Sequence, residues 1–167
     1  MESQWPTACS VNGVTGINIW NSIVGSYNTS STVVGFKRWS NGGFIKLKFP
    51  GASSTFPNRI NGKGTIVGSY FVGSGGQLPE NGFIYQGSQW ATLNYPNAPF
   101  THLAGISNAG AVVGNAIETD GGFLYTNGVF KKIHDPNGTP TSILGISPRQ
   151  GLILGTSSLG GFIATCK

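Results

Sequence analysis

Short apolar runs of two to five residues recur along the whole chain, separated by Gly, Asn, Ser and Pro, and no stretch shows helical periodicity. Three markers repeat in a fixed order. A Gly-Phe pair stands at Gly35-Phe36, Gly82-Phe83, Gly122-Phe123 and Gly161-Phe162, at spacings of 47, 40 and 39 residues. An apolar pair precedes Gly at Ile23-Val24-Gly25, Ile66-Val67-Gly68, Val112-Val113-Gly114 and Ile153-Leu154-Gly155. Further upstream lie Gly16-Ile17-Asn18, Arg59-Ile60-Asn61, Gly105-Ile106-Ser107 and Gly145-Ile146-Ser147, nine residues ahead of the second marker in three copies and ten in the fourth.

Each copy predicts four strands, A to D. In the third copy these are Leu103 to Ser107, Ala111 to Ile117, Gly122 to Thr126 and Val129 to His134. Asn127-Gly128 is the C–D hairpin turn, since both of its residues must take positive φ. That register sets Thr126 opposite Val129 and Phe123 opposite Lys132. Pro-containing links such as 135–140 then lead to the next copy, because Pro cannot donate to a ladder.

A lone four-stranded sheet cannot bury both faces, so the copies must stack. Four-stranded units of about 40 residues predict an all-β fold, a single four-bladed propeller of antiparallel blades. The blades span about 14–50, 56–96, 101–136, and 141–167 plus 3–10. Residues 161–167 supply only a strand C, and Gln4-Trp5-Pro6-Thr7 resembles Gln89-Trp90-Ala91-Thr92 of the second copy. The N-terminal strand is therefore expected to close the last blade and remove the free edge. In that register Cys9 and Cys166 lie about five residues apart along the blade, roughly 15 Å at the usual strand rise. Two free thiols are expected, since a disulfide needs Cα atoms within about 7 Å.

Composition narrows the class. The chain has 167 residues, 27 of them Gly, with 38% hydrophobic and 9% charged residues, which excludes a disordered chain. The net charge of +5 comes from scattered bases rather than a stripe, which argues against nucleic-acid binding. No run is long and apolar enough for a membrane helix. Met-Glu-Ser-Gln-Trp lacks the basic and apolar regions of a signal peptide, so the compartment stays open, and secretion would need a leader ahead of this chain.

The repeat resembles the HAF-type extracellular repeat, which reads roughly G-I-N-x-x-G-x-I-V-G-x-Y, then G-F-x-Y-x-x-G-x-F. Gly16-Ile17-Asn18, Ile23-Val24-Gly25-Ser26-Tyr27, Ile66-Val67-Gly68-Ser69-Tyr70 and Gly82-Phe83-Ile84-Tyr85 match that pattern. The resemblance implies a repeat architecture and no assigned chemistry. Arg59 departs from it, and the last two copies lack the Tyr.

Residues that one copy has and the others lack are the candidates for function. Alternating strand directions put the B–C loops and D–A links on one face, where irregular polar loops commonly carry a site. Arg59, His102, His134, Asp135, Glu118 and Asp120 fall there, with Glu80 in another B–C loop. His102 aligns with Gly13, Phe56 and Ser142, a variable link position whose plain reading is a solvated or packed histidine. Asp135 reads equally as the cap of its turn. Arg59 stands where other copies have Gly, and a charge there needs a carboxylate, a ligand or water. Trp5, Trp39 and Trp90 read as packing between blades. Trp20 lies in an A–B turn, a stacking platform for a sugar or base if exposed. Metal-ligand spacing, a nucleophile elbow, a P-loop and a dinucleotide fingerprint are all missing, so neither metal nor cofactor is expected.

Two functions follow. The first is a binding module holding a carbohydrate or small molecule at the loop face or axial funnel. The alternative is a small cofactor-independent isomerase, cyclase or lyase. There His134 or His102 would move the proton, Asp135 would orient it and Arg59 would stabilise a developing anion. The site residues are singular rather than repeated, which favours one asymmetric pocket over a multivalent lectin.

Overall fold

Each copy folds as an antiparallel meander of short strands, with its apolar pairs and Gly-Phe markers inside them. The computed structural model describes residues 11–74, 78–118, 121–135, 137 and 139–165. Unit 1 comprises β1 (Val11–Ile17), β2 (Ile23–Asn28), β3 (Val33–Arg38) and β4 (Phe44–Leu47). Unit 2 comprises β5 (Ser54–Ile60), β6 (Ile66–Phe71), β7 (Glu80–Gln86) and β8 (Gln89–Thr92). Unit 3 comprises β9 (Phe100–Ile106), β10 (Val112–Ile117), β11 (Gly121–Thr126) and β12 (Val129–Lys132). Unit 4 comprises β13 (Ser142–Ile146), β14 (Leu152–Ser157) and β15 (Gly160–Thr165). The described residues include no helix. Units 2 and 3 are joined at one parallel bridge, Glu80 to Phe100.

The third unit has the expected hairpin register, with Thr126 opposite Val129 and Phe123 opposite Lys132. Asn127 and Gly128 take φ of 51° and 79°. Two bounds differ. Strand A starts earlier, at Phe100, and strand D stops at Lys132, after which His134 keeps only an isolated bridge to Pro140.

The markers have separable jobs. The Gly of the middle strand lies under the Phe of its own third strand. A Cβ on Gly25, Gly68, Gly114 or Gly155 would come within 2.9, 2.9, 2.7 or 2.6 Å of the ring of Phe36, Phe83, Phe123 or Phe162, and would also strike a carbonyl of the first strand. The Gly of Gly-Phe receives the next unit instead. A Cβ on Gly35 would meet Pro57, one on Gly82 would meet Leu103, and one on Gly122 would meet Ile143, each within 3 Å. The Asn of the upstream marker ties units together. Asn18 donates to the carbonyl of Asn61, and Asn61 donates to that of Ser107.

Three apolar joints result. Val24 and Leu47 meet Ile60, Ile66, Tyr70 and Phe83 between units 1 and 2. Val67 meets Leu103, Ile106, Val112 and Phe123 between units 2 and 3. Val113 and Leu124 meet Ile143 and Ile153 between units 3 and 4. Trp90 packs at the first joint, against Phe49, Phe83 and Tyr85. Trp39 is in none of the joint clusters among the described residues: it lies in the β3–β4 turn with Lys37 Nζ 5.0 Å from its ring centroid.

The closed four-bladed ring expected from the termini is not what the described strands form. The three sheets do not join into a ring, and unit 4 has three strands among the described residues. The faces at either end of the array lack the cover that their counterparts have. Leu154 is 49% exposed and Ile163 71%, whereas Val113 and Leu124, their counterparts in unit 3, are buried. On unit 1, Ile17 is 63% exposed, whereas the equivalent Ile60 and Ile106 are buried. Residues 4–9, Cys9 and Cys166 lie outside the described residues, so the strand pairing and thiol state expected of them do too.

Candidate functional site

β1 skips Asn12 near its start. Every first strand also skips one residue farther along, at the same place in each unit: Thr15, Asn58, Ala104 and Leu144. A bulge bends its strand and re-aims the extra side chain. All four bulge residues line one cavity of about 260 Å³, together with Arg59, His102, Asn115, Ser142 and Ile143. The innermost strands of the four units therefore share an axial cavity. A neighbouring space of about 280 Å³ shares His102, Asn115 and Ser142 with it.

Glycine lets these strands approach. A Cβ on Gly16 would crowd Asn58 and Arg59, and one on Gly105 would crowd Gly145 and Ile146. In unit 2 that position is Arg59. Its guanidinium is exposed, and its Nη1 donates to the carbonyls of Thr15 and Asn58.

His102 is the best-positioned titratable group. Its Nδ1 lies 2.7 Å from Glu80 Oε1, with Glu80 13% exposed and His102 39%. Glu80 opens β7 at the parallel bridge, which sets it beside β9. Burial alone would raise the Glu80 carboxyl. Hydrogen bonds from His102 and Ser69, and the attraction of the imidazole when it is protonated, outweigh this and hold it below its ordinary value. The other ring nitrogen, Nε2, lies 3.3 Å from Asn58 Nδ2, and that same amide donates to the carbonyl of Leu103 at 2.9 Å. Asn58 thus presents a donor to Nε2. The network assigns the proton to Nδ1, toward the Glu80 carboxylate, and a lone pair to Nε2.

The remaining sequence candidates do not gather here. His134 is exposed on the third link. Asp135 caps that link, accepting from the backbone of Asn137 and Thr139 and from the Thr139 hydroxyl. The Thr139 bonds chiefly hold its carboxyl below the ordinary value. Glu118 is exposed in its turn at φ 66°. Asp120 lies outside the described residues. Trp20 is 65% exposed, and its indole Nε1 donates to the carbonyl of Gly62 in the neighbouring A–B turn rather than facing the cavity. His102 and Arg59 are brought to one cavity, while His134, Asp135, Glu118 and Trp20 lie elsewhere. Asn58 and Glu80 complete the site. Asn58 was hidden because bulges leave no composition signal. Glu80 was visible as a loop acid, but its partner was not. No group of three or more His, Cys, Asp or Glu suited to a metal occurs among the described residues.

No family model matches this chain, and no curated protein matches it either. Among solved structures it is similar to a selenomethionine-substituted virginiamycin B lyase from Staphylococcus aureus. The identity is 9% and the TM-score 0.38, over 92% of this chain and 70% of that one. A likeness at that level carries nothing about activity.

Proposed function

We propose that the chain is a binding module that holds a small molecule or a glycan unit in its axial cavity. The observation that supports this is the convergence of one bulge from each unit on a single cavity that also holds Arg59 and His102. A rigid repeat frame with one asymmetric polar cavity is how small-ligand sites are commonly built. The test is binding of small polar ligands to the intact protein and to a variant carrying Arg59→Ala and His102→Ala. Loss of binding with an unchanged melting temperature supports the reading. Equal binding by both proteins removes it.

A second reading, a cofactor-independent proton-transfer enzyme, draws support from the Glu80–His102 hydrogen bond. A carboxylate behind an imidazole orients it and stabilises its charged form. Glu80 takes the orienting role given to Asp135 in the sequence reading.

The closed propeller belongs with these proposals. In it, the front face of unit 4 and the back face of unit 1 form the fourth joint, with residues 4–9 as the outer strand of unit 4. Removing residues 1–10 should then lower the melting temperature and cause aggregation. An unchanged, monomeric truncation would refute closure.

A further inference from the structure

The polar groups of the axial cavity are unequally committed. Thr15 Oγ1 donates to the carbonyl of Pro57. Asn115 is tied at both ends of its amide to the backbone of Ile143. Asn58 Nδ2 serves Leu103 and His102. The donors left without a partner are the Nη2 and Nε groups of Arg59 and the hydroxyl of Ser142, which make no hydrogen bond among the described residues. The acceptors open to a ligand are the amide oxygen of Asn58, which has no hydrogen-bond partner among the described residues, and the lone pair of His102 Nε2 once a ligand hydroxyl displaces its long 3.3 Å contact with Asn58 Nδ2.

The charges point the same way. Glu80 is already engaged by His102 and Ser69, so its carboxylate is spent. Arg59 has no carboxylate within salt-bridge distance among the described residues. A guanidinium offers a fork of donors matched to an oxyanion, and it binds a carboxylate better than any neutral group. A ligand satisfying this set carries a carboxylate for Arg59 and hydroxyls for Asn58 and His102. A purely anionic ligand would leave the two acceptors unmet. A neutral sugar would leave the guanidinium without a counter-charge.

We infer that the axial cavity recognises a hydroxycarboxylate of monosaccharide size, such as a sugar acid, with Arg59 taking the carboxylate and His102 and Asn58 taking hydroxyls. This rests on the binding-module reading and names the ligand class for it.

The probe pair is glucuronate and glucose, which differ at one carbon. Calorimetric titration of the full chain at low salt should show glucuronate binding at least about tenfold tighter than glucose, the scale of one charge-assisted pair. Arg59→Gln should remove that preference and leave glucose binding within about twofold. Arg59→Lys should keep part of it, which also controls for folding. Nitrogen-15 spectra of the imidazole should show Nδ1 protonated in the free protein and an Nε2 shift when glucuronate binds. Equal affinity for the two sugars, both lost in His102→Ala, would overturn the acidic-ligand inference while leaving the cavity reading intact. Tight glucuronate binding that survives Arg59→Gln would also overturn it. No binding of either sugar by the wild-type protein defeats the sugar-acid assignment. The cavity reading then stands or falls on other ligands lost in the double variant.

Discussion

The joint between units 2 and 3 and the open front of unit 4 are made from equivalent residues, yet only one is a core. At the joint, Val67 is fully buried and Gly82 leaves just enough room for Leu103. At the open front, Leu154 stands in the place of Val67 and Gly161 in that of Gly82. Leu154 is half exposed, and a Cβ on Gly161 would meet nothing closer than 3.9 Å. The repeat thus writes a neighbour-facing surface into every unit, whether or not a neighbour lies against it. In stacked repeats stability is a sum of units and nearest-neighbour interfaces. The markers common to all copies report interfaces, and they are silent about function.

The largest predicted effect is at the Phe that fills each unit. Phe83 is fully buried between units, so Phe83→Ala should cost about 3–5 kcal/mol in urea denaturation. Phe162, at the end of the array, is only partly buried, and Phe162→Ala should cost less than half as much. Equal losses would mean that the two ends of the array are as well packed as its middle.

Glycine gives a sharper contrast, because the added group is one methyl. Gly122→Ala drives a Cβ to 2.5–2.8 Å from the Thr141 and Ile143 side chains and should destabilise by about 1–3 kcal/mol. Gly161→Ala meets open space and should be neutral, or stabilise by a few tenths of a kcal/mol through the unfolded chain. A penalty at Gly161 that matches the one at Gly122 would reveal a partner on that face in solution.

The open front can also be charged. Leu154→Glu together with Ile163→Lys should move the melting temperature by no more than a degree or two, because both side chains already meet water. Solubility should improve as the apolar patch disappears. A fall of ten degrees would show that the face is covered, as the closed ring requires.

Much of this frame was legible in the sequence. The Gly-Phe and apolar-pair-Gly markers gave unit number, strand order and hairpin register, because a glycine under a phenylalanine and an Asn-Gly turn each permit few backbone shapes. The axial site was only half legible. Arg59 and His102 stood out as departures from the repeat. Asn58 did not, since nothing distinguishes a bulge residue from its strand neighbours until the pairing skips it. The pairing of Glu80 with His102 spans two units and depends on the single parallel bridge at Glu80 and Phe100, a contact that no local pattern encodes. His134-Asp135 looked like a dyad because the two are adjacent, but adjacent residues on an extended chain point apart, and Asp135 turned back to its own link. Closure rests on a weaker signal: matching Gln-Trp dipeptides fix a resemblance between segments, not a contact between them, and residues 4–9 lie outside the described residues.

The smallest effect separates the axial site from the third link. The carboxyls of Glu80 and Asp135 are both held below their ordinary values, Glu80 against burial by His102 and Ser69, Asp135 by Thr139 and Asn137. A carboxyl lowered in the folded state binds its proton more tightly when unfolded. Its contribution is therefore complete above the unfolded value, 4.5 for Glu80 and 3.8 for Asp135, and is lost as pH falls through the lower folded value. Glu80→Gln and Asp135→Asn should each flatten the acid limb of the stability curve and converge with wild type at the lowest pH. For Glu80 the difference at neutral pH should be near 1 kcal/mol, the level of a partly exposed ion pair. The two variants should part company at the imidazole. Glu80→Gln replaces the carboxylate behind Nδ1 with an amide, so the imidazole signals of His102 in nitrogen-15 spectra should change, and ligand affinity should fall with it. Asp135→Asn should leave both unchanged. Imidazole spectra indifferent to Glu80→Gln would mean that the 2.7 Å contact does not persist in solution and that the cavity lacks its oriented base.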